Sequence, residues 1–175
     1  KRGLPNVTST VAALEAFVTD KAFNLFEKYA VLTKKELHSR YDIYLEQYSK
    51  HVNIEALTSI DMVKTQFLPA GIEFASDLAS SVNAVTTAGA SANTQKDLLK
   101  KVCALNDSIY MKLNDLESAL ACAQGETSVK TQAELYRDKV FPAMNALRDS
   151  VDALETITPK YMWPIPSYSD LLFKL

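Results

Sequence analysis

Apolar residues recur every three or four positions over most of this chain. Leu98, Val102, Leu105, Ile109, Leu113, Leu116 and Leu120 form the cleanest run. That spacing places them on one face of an α-helix. Thr94 is the expected cap of this helix, and Gly125 the expected C′ residue. A second stripe, Tyr136, Val140, Met144, Leu147, Val151 and Leu154, predicts a helix starting near Ser128 or Thr131. Thr131 with Glu134 makes a Thr-x-x-Glu box, and Pro159 ends the pattern. Upstream, Thr33 and Glu36 make another capping box, and Leu37, Tyr41, Tyr44, Tyr48 and Val52 follow at helical spacing. Leu57, Ile60, Lys64 and Phe67 extend this pattern, which runs on to about Thr87, past Pro69. Thr19 is placed to cap a helix from Asp20 to about Tyr29. Residues 1–17 read as irregular or as a short helical turn, and the small residues from Gly89 to Asn93 read as a loop.

Three long amphipathic helices with short connections predict an all-α fold, an antiparallel bundle. The expected organisation is one domain, 1–175. Residues 1–17 lead in, 18–159 form the bundle, and 160–175 form a tail. Pro69 and Pro142 each remove a backbone hydrogen bond inside a long helix and are expected to kink it. The 175 residues contain only four Gly and six Pro, which argues against a sheet-rich fold. At that length the chain can bury a real core.

Net charge is −2, which gives no electrostatic case for nucleic acid. No apolar run approaches the roughly 18 residues of a membrane span. The start lacks the apolar stretch of a signal peptide and lacks Met, so a fragment or processed product is expected. Cys103 and Cys122 lie on one predicted helix, about 28 Å apart at 1.5 Å per residue. A disulfide needs Cα atoms within about 7 Å, so the two cannot pair, as suits a reducing cytoplasm.

Candidate chemistry is sparse. His38 and His51 are about 20 Å apart on a continuous helix, too far to share a metal. Asp42 and Glu46 are one turn apart but lack a completing histidine or second carboxylate pair. Both cysteines lie in or beside an apolar stripe without a basic neighbour and are expected to be small core residues. There is no Gly-x-Ser-x-Gly and no phosphate-cradling Gly-rich loop. Tyr41, Tyr44 and Tyr48 stand among Arg40, Lys50 and His51, but Asp42 and Glu46 cancel that field, so a packing stripe is expected. Asn53, Glu55, Thr58 and Asp61 form a polar patch where the apolar phase slips between Val52 and Leu57. It is either an exposed face or a buried network holding a partner.

The tail differs from everything before it. Trp163, the only Trp, precedes Pro164-Ile165-Pro166, and Leu171, Leu172 and Phe173 close the segment. The prolines predict extended backbone. An extended stretch this apolar is expected to strap across its own bundle or to dock on a neighbour. Trp163-Pro164-Ile165-Pro166-Ser167-Tyr168-Ser169-Asp170-Leu171-Leu172-Phe173 resembles the end of the type III glutamine synthetases. Further blocks in the same order are similar to that family. They are Gly3-Leu4-Pro5-Asn6, Leu25 to Tyr29, Ser39 to Tyr48, Asn53 to Thr58 with Ile60-Asp61-Met62, Tyr136-Arg137-Asp138, and Pro142 to Arg148. Ser59, Val63, Thr65 and Ser169 depart from the pattern, and Ala84 to Lys101 matches nothing.

The resemblance implies the helical C-terminal domain of a cytoplasmic, oligomeric ligase of nitrogen metabolism. The parent enzyme joins ammonia to glutamate with ATP and Mg2+ or Mn2+. The family's catalytic machinery lies upstream, so no catalytic, cofactor-binding or metal-binding residue is carried onto a position here, and this chain alone is not expected to be an enzyme. Expected partners are the catalytic body of the same polypeptide and neighbouring subunits of a dodecamer, with no nucleic acid and no membrane. The competing expectation is a stand-alone helical-bundle protein-binding module. A third, an enzyme in its own right, lacks any site constellation.

Overall fold

The computed structural model describes Gly3 and residues 6–172, and every regular element among them is helical. Helix α1 (Thr10–Leu14) leads through a tight 3-10 turn, Glu15–Val18, to α2 (Asp20–Lys28). Then come α3 (Lys34–Met62), α4 (Leu68–Thr87), α5 (Asn93–Gln124), α6 (Val129–Leu135), α7 (Phe141–Glu155) and α8 (Tyr168–Leu172). The all-α expectation holds.

A π-helical turn, Val63–Phe67, joins α3 to α4, and a second, Tyr136–Val140, joins α6 to α7. In each, an amide bonds five residues back: Leu68 N–H to the Val63 carbonyl, and Phe141 N–H to the Tyr136 carbonyl. The next residue is Pro69 in one case and Pro142 in the other. Proline lacks an amide hydrogen and crowds the carbonyl four residues back. A widened turn just before it breaks that ladder locally and lets the helix resume. Neither proline ends its helix, and helical backbone runs from Lys34 to Thr87 as the spacing predicted.

Local capping explains most boundaries. Thr19 Oγ1 accepts from the Ala22 amide at 3.2 Å and starts α2. The Thr33 amide and hydroxyl both donate to the Glu36 carboxylate at 2.7 Å, while Thr33 Oγ1 accepts from the Glu36 amide at 3.3 Å. The Thr33 amide, and then its hydroxyl, hold the Glu36 carboxyl below its ordinary range. Ser128, not Thr131, caps α6, with Oγ facing the Thr131 amide at 3.5 Å.

The end of α5 at Gln124, just before Gly125, is as expected, and its start differs. Thr94 lies inside α5, because the Lys96 amide bonds the Ala92 carbonyl and so puts Ala92 at the cap. Ala92 is almost fully buried, so packing rather than a capping hydroxyl sets that end. Gly125 does not adopt a positive φ. The left-handed residues that close helices are Gly89 (φ 80) after α4 and Ala30 (φ 50) after α2. Both ends show the paired bonds of a Schellman motif. The Gly89 and Ala90 amides bond the Thr86 and Val85 carbonyls, and the Ala30 and Val31 amides bond those of Glu27 and Phe26.

The chain divides into two compact units, residues 1–57 with 118–142, and residues 58–117 with 143–175. In the first, Val11, Leu14, Tyr41, Leu45 and Ala133 form a core against which Val18, Tyr48 and Val129 pack. In the second, Val63, Phe67, Phe74 and Leu78 are buried, as are Val102, Ile109 and Leu113 of α5 and Leu147, Val151 and Leu154 of α7.

The buried stripe of α3 departs from expectation at two places. Leu57 is exposed, and Ala56 is fully buried. Val52, Ala56, Ile60 and Val63 keep helical spacing without a slip. Alanine carries a weak hydrophobic signal but loses no side-chain entropy on burial, so it holds the register that Leu57 had seemed to break. Leu45 is likewise fully buried, while Tyr44 lies at the edge and meets Phe17 edge-on at 6.1 Å.

Candidate functional site

The tail is held by its own unit. Trp163 stacks on Phe67 with ring centroids 5.1 Å apart and planes 19° off parallel. Trp163 and Ile165 form one wall of a groove of about 400 Å³, with Met62 and Phe67 on one side and Leu147 and Val151 on another. Thus the strap across its own bundle is the arrangement found.

Beyond Pro166 the chain is not extended, as had been expected, but turns into α8. Ser167 and Asp170 make that turn. The Ser167 amide (2.9 Å) and hydroxyl (2.7 Å) donate to Asp170 Oδ2, and Lys160 Nζ donates to Oδ1 at 2.7 Å. The Lys160 ammonium, then the Ser167 hydroxyl and amide, pull the Asp170 carboxyl down to about 2. Ser-x-x-Asp is itself a capping signature, legible in the sequence but masked by the two prolines before it. Leu171 (66% exposed) and Leu172 (73%) are not buried in this chain, contrary to expectation. Phe173 and the Tyr168 side chain lie outside the described residues.

The remaining candidates scatter. His38 and His51 are both exposed on α3, and the His38 ring packs 5.1 Å from that of Phe23. Glu46 pairs with Lys50 at 3.2 Å. Among the described residues no group of three or more His, Cys, Asp or Glu is placed to hold a metal ion. Cys103 and Cys122 are exposed, not core as expected. They sit one and two positions past Val102 and Leu120, beside the buried stripe rather than on it, and Ala123 takes the buried place. Lys139 Nζ lies 3.9 Å from Cys122 Sγ.

The polar patch on α3 splits. Asn53 is half-buried, and its Oδ1 accepts from Tyr136 Oη at 3.0 Å and from Gln124 Nε2 at 2.8 Å. It ties α3 to α5 and to the second π-helical turn. Glu55, Thr58 and Asp61 are exposed.

The first unit also carries a polar cleft of about 700 Å³, lined by Tyr48, His51, Glu55, Arg137, Asp138 and Phe141 together with residues 8–10. Arg137 Nε and Nη2 donate to the two Asp138 oxygens at 2.6 and 2.7 Å. That fork lowers the Asp138 carboxyl and raises the Arg137 guanidinium. Burial raises the Tyr48 hydroxyl against the opposing pull of Arg137. Tyr48 and Glu55 share a face of α3, and the cleft brings Arg137 and Asp138, far along the chain, to them.

Residues 1–86 match the family model described as glutamine synthetase C-terminal domain. Along nearly its whole length the chain is similar to a type-3 glutamine synthetase of Dictyostelium discoideum, 32% identical over 98% of this chain and 24% of that protein. It is also similar to glutamine synthetases of Butyrivibrio fibrisolvens, 28% identical over 100% of this chain and 25% of that protein, and of Bacteroides fragilis, 24% identical over 99% and 25%. The chain belongs to the glutamine synthetase C-terminal domain family. It spans about a quarter of the length of the curated relatives it matches. The glutamine synthetase signal thus runs from the leading segment through both π-helical turns to the tail. No helix among the described residues is long and apolar enough to cross a membrane.

Proposed function

We propose that this domain serves a structural role in a cytoplasmic type III glutamine synthetase, covering the catalytic body and contributing to contacts between subunits of a dodecamer. The whole enzyme would ligate ammonia to glutamate with ATP and Mg2+ or Mn2+. Among the described residues no group of three or more His, Cys, Asp or Glu is placed to hold such a metal. The observation that carries the reading is the match itself: it runs the length of this chain yet accounts for only a quarter of each relative.

A surface suited to that role lies on α3. Ile43, Ile54 and Leu57 are each about half exposed or more. At 100° per residue they fall within about 60° around the helix axis and span about 21 Å, with Lys50 between them. We assign that stripe to the body of the same enzyme.

Light scattering of this chain, alone and mixed with the separately produced upstream region, tests the reading. Association is expected, together with synthetase activity that needs both parts, and I54E/L57E should weaken it. A chain that stays monomeric beside a truncated body that is fully assembled and fully active would overturn the structural role in favour of a partner-binding module.

A further inference from the structure

The polar cleft of the first unit plays no part in that reading. Its walls come from three separate stretches of chain. Tyr48, His51 and Glu55 share one face of α3, at helical spacing. Arg137 and Asp138 sit on the π-helical turn Tyr136–Val140, and Phe141 follows it. Residues 8–10 close the third side. A volume of about 700 Å³ is that of a small-molecule site. Single π-helical turns inside α-helices are uncommon and occur often at functional sites. Here the turn carries both charges contributed by its helix.

The charges in the cleft are mixed. Glu55 and Asp138 are carboxylates, Arg137 is a guanidinium, and His51 is an imidazole. Asp138 grips Arg137 through Nε and Nη2 only, so the guanidinium is held in place with its Nη1 edge outside that fork. The Arg137 side chain is 31% exposed. A simple anion would face two carboxylates, and a simple cation would face the guanidinium. A small molecule with both signs a few ångströms apart meets each of these charges with its opposite. Phe141 offers an apolar surface for a short aliphatic portion.

We propose that this cleft binds a free α-amino acid, its carboxylate toward Arg137 and His51 and its ammonium toward Glu55 and Asp138. Tyr48, which lines the same cleft within electrostatic reach of Arg137, Asp138 and Glu55, offers its hydroxyl as a further donor to that carboxylate. The assignment is independent of the assembly role, and its failure would leave that role untouched.

The test is amide NMR of the whole 175-residue chain, titrated with each protein amino acid in turn. At least one should give saturable shifts confined to residues 8–10, 48–55 and 137–141. The N-acetyl derivative of that amino acid lacks the ammonium, and its carboxamide lacks the carboxylate. Each should bind at least about tenfold more weakly, the loss of one charged partner. R137Q and E55Q should each weaken binding by about the same factor, with the rest of the spectrum unchanged. Should R137Q disturb the fold, E55Q and the two analogues still decide. Three outcomes overturn the proposal: no saturable shift from any amino acid, an analogue that binds as well as its parent, or variants that bind like the original chain.

Discussion

The two compact units draw on the same long helices but fill their interiors differently. In the second, helices approach closely. A Cβ at Gly71 would collide with Asn106 Oδ1 and lie 2.9 Å from Leu154 Cδ2. Trp163 lies flat on Phe67. In the first, a polar side chain does the joining: Asn53 holds Tyr136 and Gln124, and charged residues leave a cleft beside them. Each unit has one π-helical turn before a proline, and the two turns serve these different ends. Val63–Phe67 feeds buried apolar side chains into the tight unit. Tyr136–Val140 also buries Tyr136 and Val140 but adds Arg137 and Asp138 to the open cleft. The backbone irregularity is a way past proline; its neighbours decide what it builds.

Gly71→Val should destabilise the chain most. Its methyls have no room between α5 and α7, and overpacking of this kind costs about 2–3 kcal/mol. Urea denaturation should show it, and a change below about 0.5 kcal/mol would mean that the approach is not tight. The Asn106 oxygen that Gly71 admits is buried without a hydrogen-bond partner.

Asn53→Ala asks the same of the first unit. It leaves the buried Tyr136 hydroxyl without its acceptor, at a cost of about 1–2 kcal/mol. A double-mutant cycle with Tyr136→Phe should recover most of that loss. Additive losses would show that Asn53 acts through packing alone.

The turns sharpen the contrast further. Ala30 and Gly89 occupy the same left-handed position of the same Schellman motif, one in each unit. Gly89→Ala should destabilise by about 1 kcal/mol, and Ala30→Gly should stabilise by about 0.5–1 kcal/mol, because only glycine adopts that conformation without steric cost. Equal signs for the two variants in thermal melts would refute the shared geometry.

The smallest effect is local and pH-dependent. Glu36 in the first unit and Asp170 in the second both close capping boxes, and both carboxyls are lowered. A lowered folded-state value means that the contribution is present above the unfolded value and is lost as pH falls. For Asp170 that loss spans 3.8 down to about 2. In the folded chain the Ser167 amide resonance should titrate around that lowered value of about 2, and D170N should abolish the movement. A resonance that moves only well above pH 4 would assign it to another group.

Much of the helical layout was legible in the chain. Thr33 with Glu36 and Thr19 mark their helix starts because capping is a contact between residues three apart. The stripe from Val102 to Leu120 identifies a buried face because period alone sets which side chains share it. Errors arose where neighbours outweighed local signal. Ala56 is buried while Leu57 is not, since Ala56 lies in phase with Val52, Ile60 and Val63 and Leu57 is turned about 100° away from that face. Cys103 and Cys122 lie one and two positions off the stripe, a rotation that composition cannot show. Leu171 and Leu172 are apolar but have no internal surface to meet.

What the sequence determined by itself is the all-α class, the helix starts at Thr19 and Thr33 fixed by short-range capping, the passage of helix through Pro69 and Pro142, and the family, which is written in motifs spread over most of the chain. What only the tertiary structure decided is which polar side chains meet. Asn53 and Tyr136 are 83 positions apart, and Glu55 and Arg137 are similarly remote. Hydrogen bonds within a helix turn are encoded in neighbouring residues, whereas long-range pairings follow from how whole faces pack, and no local pattern records that.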